Sequence, residues 1–134
     1  MKHIGIDARL YSKTGVGVYI RNLLHYIDEI APRDLRFTVY MLPDDIKKAH
    51  FTNTQISVQP VSYLWHTFGE QIGFFRQLEK DDLDLMHFTY FSYPVMYKKP
   101  FVATIHDTIL LHNKTGLAST RNPLVYELKH RIFK

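Results

Sequence analysis

Two histidines close short apolar segments of the chain: His87 ends Asp84-Leu-Met-His87, and His106 ends Phe101-Val-Ala-Thr-Ile-His106. A histidine at the carboxyl end of a parallel strand points its imidazole into the cleft such sheets form, where it can donate to a hydroxyl or share a proton. His106 is therefore the candidate catalytic residue, and Asp107 beside it either orients the ring or caps the next turn. A structural histidine bonding a neighbouring carbonyl accounts for the same position. Two imidazoles at neighbouring strand ends could also ligate a metal. No carboxylate or third histidine stands at ligand spacing, so no metal site is assigned. His66-x-x-x-Glu70 is an i, i+4 pair that a solvated helix face explains.

A second constellation lies near the start. A short strand, His3 to Ala8, gives way to a polar loop, Arg9 to Thr14, and then to Gly15 and Gly17 at the mouth of a helix. Strand, glycine loop and helix start together present unpaired backbone N–H groups to an anion. A dinucleotide fingerprint would need a third glycine. Ile20 stands in its place, and about six residues separate the strand from the glycines. The loop is long and open, suited to reaching across a cleft. The plainer alternative is the first turn of an α/β unit, with glycines that serve the turn alone.

The elements that must hold these residues are legible as periodicity. Val16, Ile20, Leu23, Ile27 and Ile30 mark one face of a helix that Pro32 ends. Leu35 to Leu42 reads as a strand closed by Pro43-Asp44-Asp45, and Gln55 to Gln59 as a weaker strand stopped by Pro60. Trp65 to Lys80 reads as a helix with Phe68, Ile72, Phe75 and Leu78 inward and Glu70, Gln71, Gln77 and Lys80 off that face. Between the two histidine strands, Phe88 to Lys99 is an aromatic loop; Tyr90 is expected in the cleft, where an aromatic can stack on a sugar ring, and Phe91 in packing. Pro123 to Lys134 reads as a helix with Asn122 as N-cap and Leu124, Leu128 and Ile132 as its buried stripe. Alternating strands and helices predict an α/β, Rossmann-like, doubly wound and mostly parallel sheet.

Composition bounds the rest. A chain of 134 residues is one domain by length, and 46% apolar residues can build its core. A net charge of +4 without a dense Lys/Arg run argues against nucleic acid as partner; a phosphate-bearing ligand or an anionic membrane surface fits the same balance. With no cysteine there is no disulfide, Cys-based zinc site or thiol nucleophile. Met1-Lys2-His3 leads straight into a strand, and no stretch reaches eighteen apolar residues, so a cytoplasmic location is expected.

Taken together, Ile4-Gly-Ile-Asp-Ala-Arg9, Gly15-Val-Gly-Val-Tyr19 with Asn22-Leu23, Trp65, Asp84-Leu-Met-His87 with Tyr90-Phe-Ser-Tyr-Pro94, and Thr104-Ile-His-Asp107 resemble the amino-terminal domain of a family 4 retaining glycosyltransferase of the GT-B type. The nearest resemblance is to bacterial mannosyltransferase-like members. It implies two Rossmann-like domains facing a cleft, residues 1–134 supplying the acceptor side and a second domain holding most of the nucleotide-sugar donor. It implies that His106 contacts the transferred sugar, that Gly15, Val16 and Gly17 approach donor or acceptor, and that Arg9, His87, Tyr90 and Asp107 complete the substrate-binding set. No metal or other cofactor is implied, and retention is ascribed to front-face chemistry without a protein nucleophile. The acceptor would be a cell-surface glycan or a lipid-linked precursor, which leaves room for peripheral membrane contact. The second domain's Glu-x7-Glu pattern is absent from this sequence. The chain is therefore expected to be half an enzyme: inactive alone, with negligible donor affinity, and prone to dimerise through an unpaired sheet edge. The rivals are a non-catalytic α/β binding module and a nicotinamide oxidoreductase domain.

Overall fold

The computed structural model describes residues 1–106. The candidate Asp107 and the helix expected over Pro123 to Lys134 lie outside the described residues. Five parallel strands form one sheet: β1 (Lys2–Asp7), β2 (Leu35–Met41), β3 (Ile56–Pro60), β4 (Leu85–Phe88) and β5 (Phe101–Ala103), ordered β3-β2-β1-β4-β5. All pairings among the described residues are parallel, so the sheet is an α/β, Rossmann-like one. The chain builds outward from β1 to β3, then returns to add β4 and β5 on the other side. That reversal opens a crevice at the carboxyl ends of β1 and β4.

Helix α1 (Val16–Ile30) covers one face of the sheet. Its contribution is Ile20 and Leu24, set against Ile6 of β1, Ala8 just beyond it, and Phe37, Val39 and Met41 from alternate positions of β2. Ile20 and Leu24 are essentially sealed from solvent, which stabilises by roughly 1.5–3 kcal/mol each. The stripe does not hold to the end of the helix: Ile30, expected inward, is exposed. A short helix α2 (Pro43–Ile46) begins at the Pro43-Asp44-Asp45 stretch that closes β2.

The opposite face is where expectation and structure part. Helical backbone begins at residue 68, not at Trp65, and opens with a π-turn, Glu70–Phe74, that runs into α3 (Phe75–Lys80). The wider turn shifts the helical phase. Glu70, Phe74 and Leu78 point into the core, while Phe68 and Ile72 lie on the surface. Glu70 is fully buried, which corrects the solvated reading of the His66–Glu70 pair.

No helix connects β4 to β5. Phe88, Tyr93, Tyr97 and Phe101 supply that layer instead, with Phe88 stacked on Tyr93 at 5.2 Å and edge-on to Tyr97 at 5.7 Å. Gly5 of β1 makes room beneath them, since a Cβ there would come within 2.6 Å of Met86 Sδ and 2.7 Å of a Leu83 methyl. Strand β5 stops at Ala103, so His106 stands three residues beyond the strand that was expected to end on it. Among the described residues, no helix is long and apolar enough to cross a membrane.

Candidate functional site

Beyond Asp7 the chain turns twice before α1, through Tyr11 N–H to the Ala8 carbonyl (3.0 Å) and Lys13 N–H to the Leu10 carbonyl (2.9 Å). Arg9 anchors this loop from below. Its guanidinium meets Asp7 through Nε (2.9 Å) and Nη2 (2.7 Å), reaches Glu70 Oε1 through Nη2 (2.7 Å), donates to the Tyr63 carbonyl through Nη1 (3.3 Å), and lies 4.2 Å over the Phe74 ring. Only 2% of the Arg9 side chain is exposed. Burial on its own lowers the Arg9 pKa, but the Asp7 charge and hydrogen bonds, with those of Glu70, outweigh it and raise it further above the ordinary arginine value. Arg9 is thus committed within the chain and serves as the floor of the site.

Gly15 adopts φ +59°, a conformation that favours glycine, and has open space around it. Gly17 is different. A Cβ on it would sit 2.6 Å from the Tyr11 carbonyl oxygen and 2.9 Å from that of Leu10. The missing side chain lets helix and loop touch, a packing reason for glycine at position 17. Val16 opens the helix and is half-buried against the core. Among the described residues no side chain caps the start of α1, and no acidic residue occupies its first turn. The Lys13 ammonium lies 5.2 Å over the Trp65 ring, which puts a cation beside a shallow notch. Asp7, Arg9, Thr89, Tyr90 and Ser92 line that notch with Trp65.

Tyr19, in the first turns of α1, joins the glycine loop to the histidines. Its ring is edge-on to His106 at 5.1 Å and to His87 at 6.4 Å. The Thr104 hydroxyl lies 2.9 Å from His87 Nε2 and 3.3 Å from the Tyr19 hydroxyl. Burial lowers the His87 pKa below its ordinary 6.5, and the Asp7 charge offsets only part of that. His106 Nε2 stands 2.8 Å from the Thr89 carbonyl. A carbonyl only accepts, so Nε2 carries a hydrogen, and in the neutral ring Nδ1 is the acceptor nitrogen. Tyr90 lies roughly parallel to His106 at 6.4 Å. No family model, curated protein or solved structure matches the chain.

The structure therefore brings His87 and His106 together around Tyr19, with Tyr90 beside His106; Gly15 and Val16 stand at the start of the helix that carries Tyr19, and Arg9 lines the notch with Tyr90. Residues assigned no role in the site from the sequence are Tyr19, Thr89, Ser92 and Thr104, together with Glu70, which spacing paired with His66 on a solvated face. Tyr19 had a signal, its place directly after the glycine pair. Glu70 had one as well, its spacing from His66, but its inward turn also depends on Arg9 and Ser92, which lie far off in sequence.

Proposed function

We propose that the chain is the acceptor-side domain of a retaining, nucleotide-sugar-dependent glycosyltransferase of the GT-B type. It would transfer a hexose such as mannose to a cell-surface glycan or its lipid-linked precursor at the cytoplasmic side of a membrane. The observation that carries this reading is the contact of Tyr19 with His106, which sets the uncapped helix start beside an imidazole at the crevice. An N-terminal helix dipole suits the diphosphate of a sugar nucleotide or an anionic acceptor. His106 Nδ1 can accept from a sugar hydroxyl while Nε2 is held by Thr89, and Tyr90 offers an apolar face to a pyranose ring. Most of the donor contact, and the charge stabilisation of its leaving diphosphate, fall to a second domain in this reading.

A nicotinamide cofactor has weaker support. Ile20, at the place of the fingerprint's third glycine, is fully buried between α1 and the sheet and cannot be traded for a tight dinucleotide turn without opening the core.

Titration of the labelled chain with mannose-containing oligosaccharides, a panel of nucleotide sugars and NAD tests the reading. Acceptor saccharides should shift the Gly15, Tyr90 and His106 resonances, and donors alone should give negligible heat. In an active two-domain enzyme, His106→Ala should lower kcat more than it raises KM, a loss of roughly 2–4 kcal/mol. Micromolar binding of NAD, or of a nucleotide sugar by the monomeric chain, would overturn the proposal. Saccharide binding without transfer once a donor domain is supplied would favour a non-catalytic binding module.

A further inference from the structure

Three loops meet at the mouth of the site, and one carboxylate touches all three. Glu70 Oε1 accepts from Arg9 Nη2 (2.7 Å), below the glycine loop. Glu70 Oε2 accepts from the Ser92 hydroxyl (2.7 Å), in the aromatic loop, and from the His66 N–H (3.0 Å), in the loop after β3. Its neighbour Gln71 extends the clamp, donating to the Tyr93 carbonyl (3.1 Å) and accepting from the Val95 N–H (2.9 Å). Two unfavourable backbone choices sit beside this group: the π-turn that begins at Glu70, and His66 at φ +58°, the only positive-φ non-glycine among the described residues. Both kinds of feature gather at functional sites, where surrounding structure holds them in place. Here the His66 N–H is fixed by Glu70 and by the Ser92 hydroxyl (3.0 Å), and its ring lies against Tyr90 (5.9 Å) and Phe91 (5.5 Å).

We propose that Glu70 is a positioning residue for the saccharide site: it sets the glycine loop, His66 and the Tyr90 loop in one fixed arrangement before a ligand arrives. The proposal rests on the glycosyltransferase reading for the ligand's class, though not for the clamp itself. A carboxylate suits the position because Arg9 and the His66 N–H, on its two oxygens, can only donate. The amide of a glutamine can accept from Arg9 or from the His66 N–H, and must turn an N–H group against the other, while the Ser92 hydroxyl can reverse its role.

Amide hydrogen exchange on the unliganded chain, as wild type, Glu70→Gln and Ser92→Ala, tests the clamp. Glu70→Gln should speed exchange at least tenfold in 9–15, 61–69 and 89–95 together while β1 and β2 stay protected. Ser92→Ala, which leaves the Arg9 pair intact, should loosen only the latter two segments. Uniform acceleration including β1 and β2, or acceleration confined to residues next to Glu70, would overturn the proposal. Should Glu70→Gln fail to fold, the two-loop pattern of Ser92→Ala decides. A parallel titration with mannobiose separates the two claims. Wild-type resonances at Gly15 and Tyr90 that do not move defeat the glycosyltransferase reading alone, whereas equal mannobiose affinity in wild type and both variants defeats the positioning role.

Discussion

Replacing Arg9 with Met removes the cation from a buried triad while keeping an apolar stem over Phe74. Side-chain exposures of 2%, 6% and 1% for Arg9, Asp7 and Glu70 leave little solvent to screen the two carboxylates once the guanidinium is gone. Breaking a buried pair by removing one partner costs about 3–5 kcal/mol, and here two carboxylates lose the same partner, so the upper part of that range is expected. For a chain of this size each kcal/mol lowers the melting temperature by roughly 3–4 °C, which places the loss at roughly 10–20 °C. Lysine at position 9 should recover little, because a single ammonium cannot pair with Asp7 through two parallel bonds and reach Glu70 as well. Urea unfolding followed by the fluorescence of Trp65, the single tryptophan, gives the free energy directly. Combining Arg9→Met with Glu70→Met should cost less than the sum of the two single changes, since each removes a charge the other orphans. A loss below about 1 kcal/mol for Arg9→Met, or strict additivity in the double variant, would refute the buried triad as the anchor of the loop.

The two glycines of the loop should respond differently to alanine. Gly17→Ala drives a Cβ into two backbone carbonyls and should destabilise by about 1–3 kcal/mol, whereas Gly15→Ala meets open space and pays only the left-handed backbone, about 1–2 kcal/mol, so a calorimetric ranking with Gly15 as the more sensitive site would contradict the packing role of Gly17. His87 should titrate below 6.5 by proton NMR, because burial disfavours its charged form. The unfolded chain then takes up the proton first, so this contribution to stability is complete above pH 6.5 and is lost as the pH falls through the interval below it; His87→Gln should flatten that part of the melting-temperature profile, and an unchanged profile would count against it. The Tyr97 hydroxyl is buried without a hydrogen-bond partner among the described residues, and burial followed by the Glu79 charge pushes its pKa up to about 12. Tyr97→Phe should therefore leave stability unchanged or raise it by up to about 1 kcal/mol, and a loss beyond about 1 kcal/mol on thermal unfolding would reveal a bond the hydroxyl makes.

Local pattern was enough for much of this protein. The alternating apolar positions of β1 and β2, the spacing of Ile20 in α1, and the stops at Pro32 and Pro60 are decided by side-chain periodicity and proline geometry, which act over a few residues. The parallel α/β architecture followed, because strands alternating with helices leave few other ways to bury both faces of a sheet. What the sequence could not decide was the phase of the segment that ends in α3. Its own apolar spacing favoured Phe68 and Ile72 inward, yet Glu70 turns in because Arg9, Ser92 and the His66 N–H, donors from three separate loops, converge on one carboxylate. The same limit applies to Arg9, which reads as a loop cation available to substrate until Asp7 and Glu70 are seen to enclose it. It applies also to Gly17, whose need for no side chain comes from two carbonyls of the preceding loop. Periodicity reports which residues avoid water; only the folded chain brings a buried charge to its partners, and that long-range electrostatic choice fixed how the mouth of the site is built.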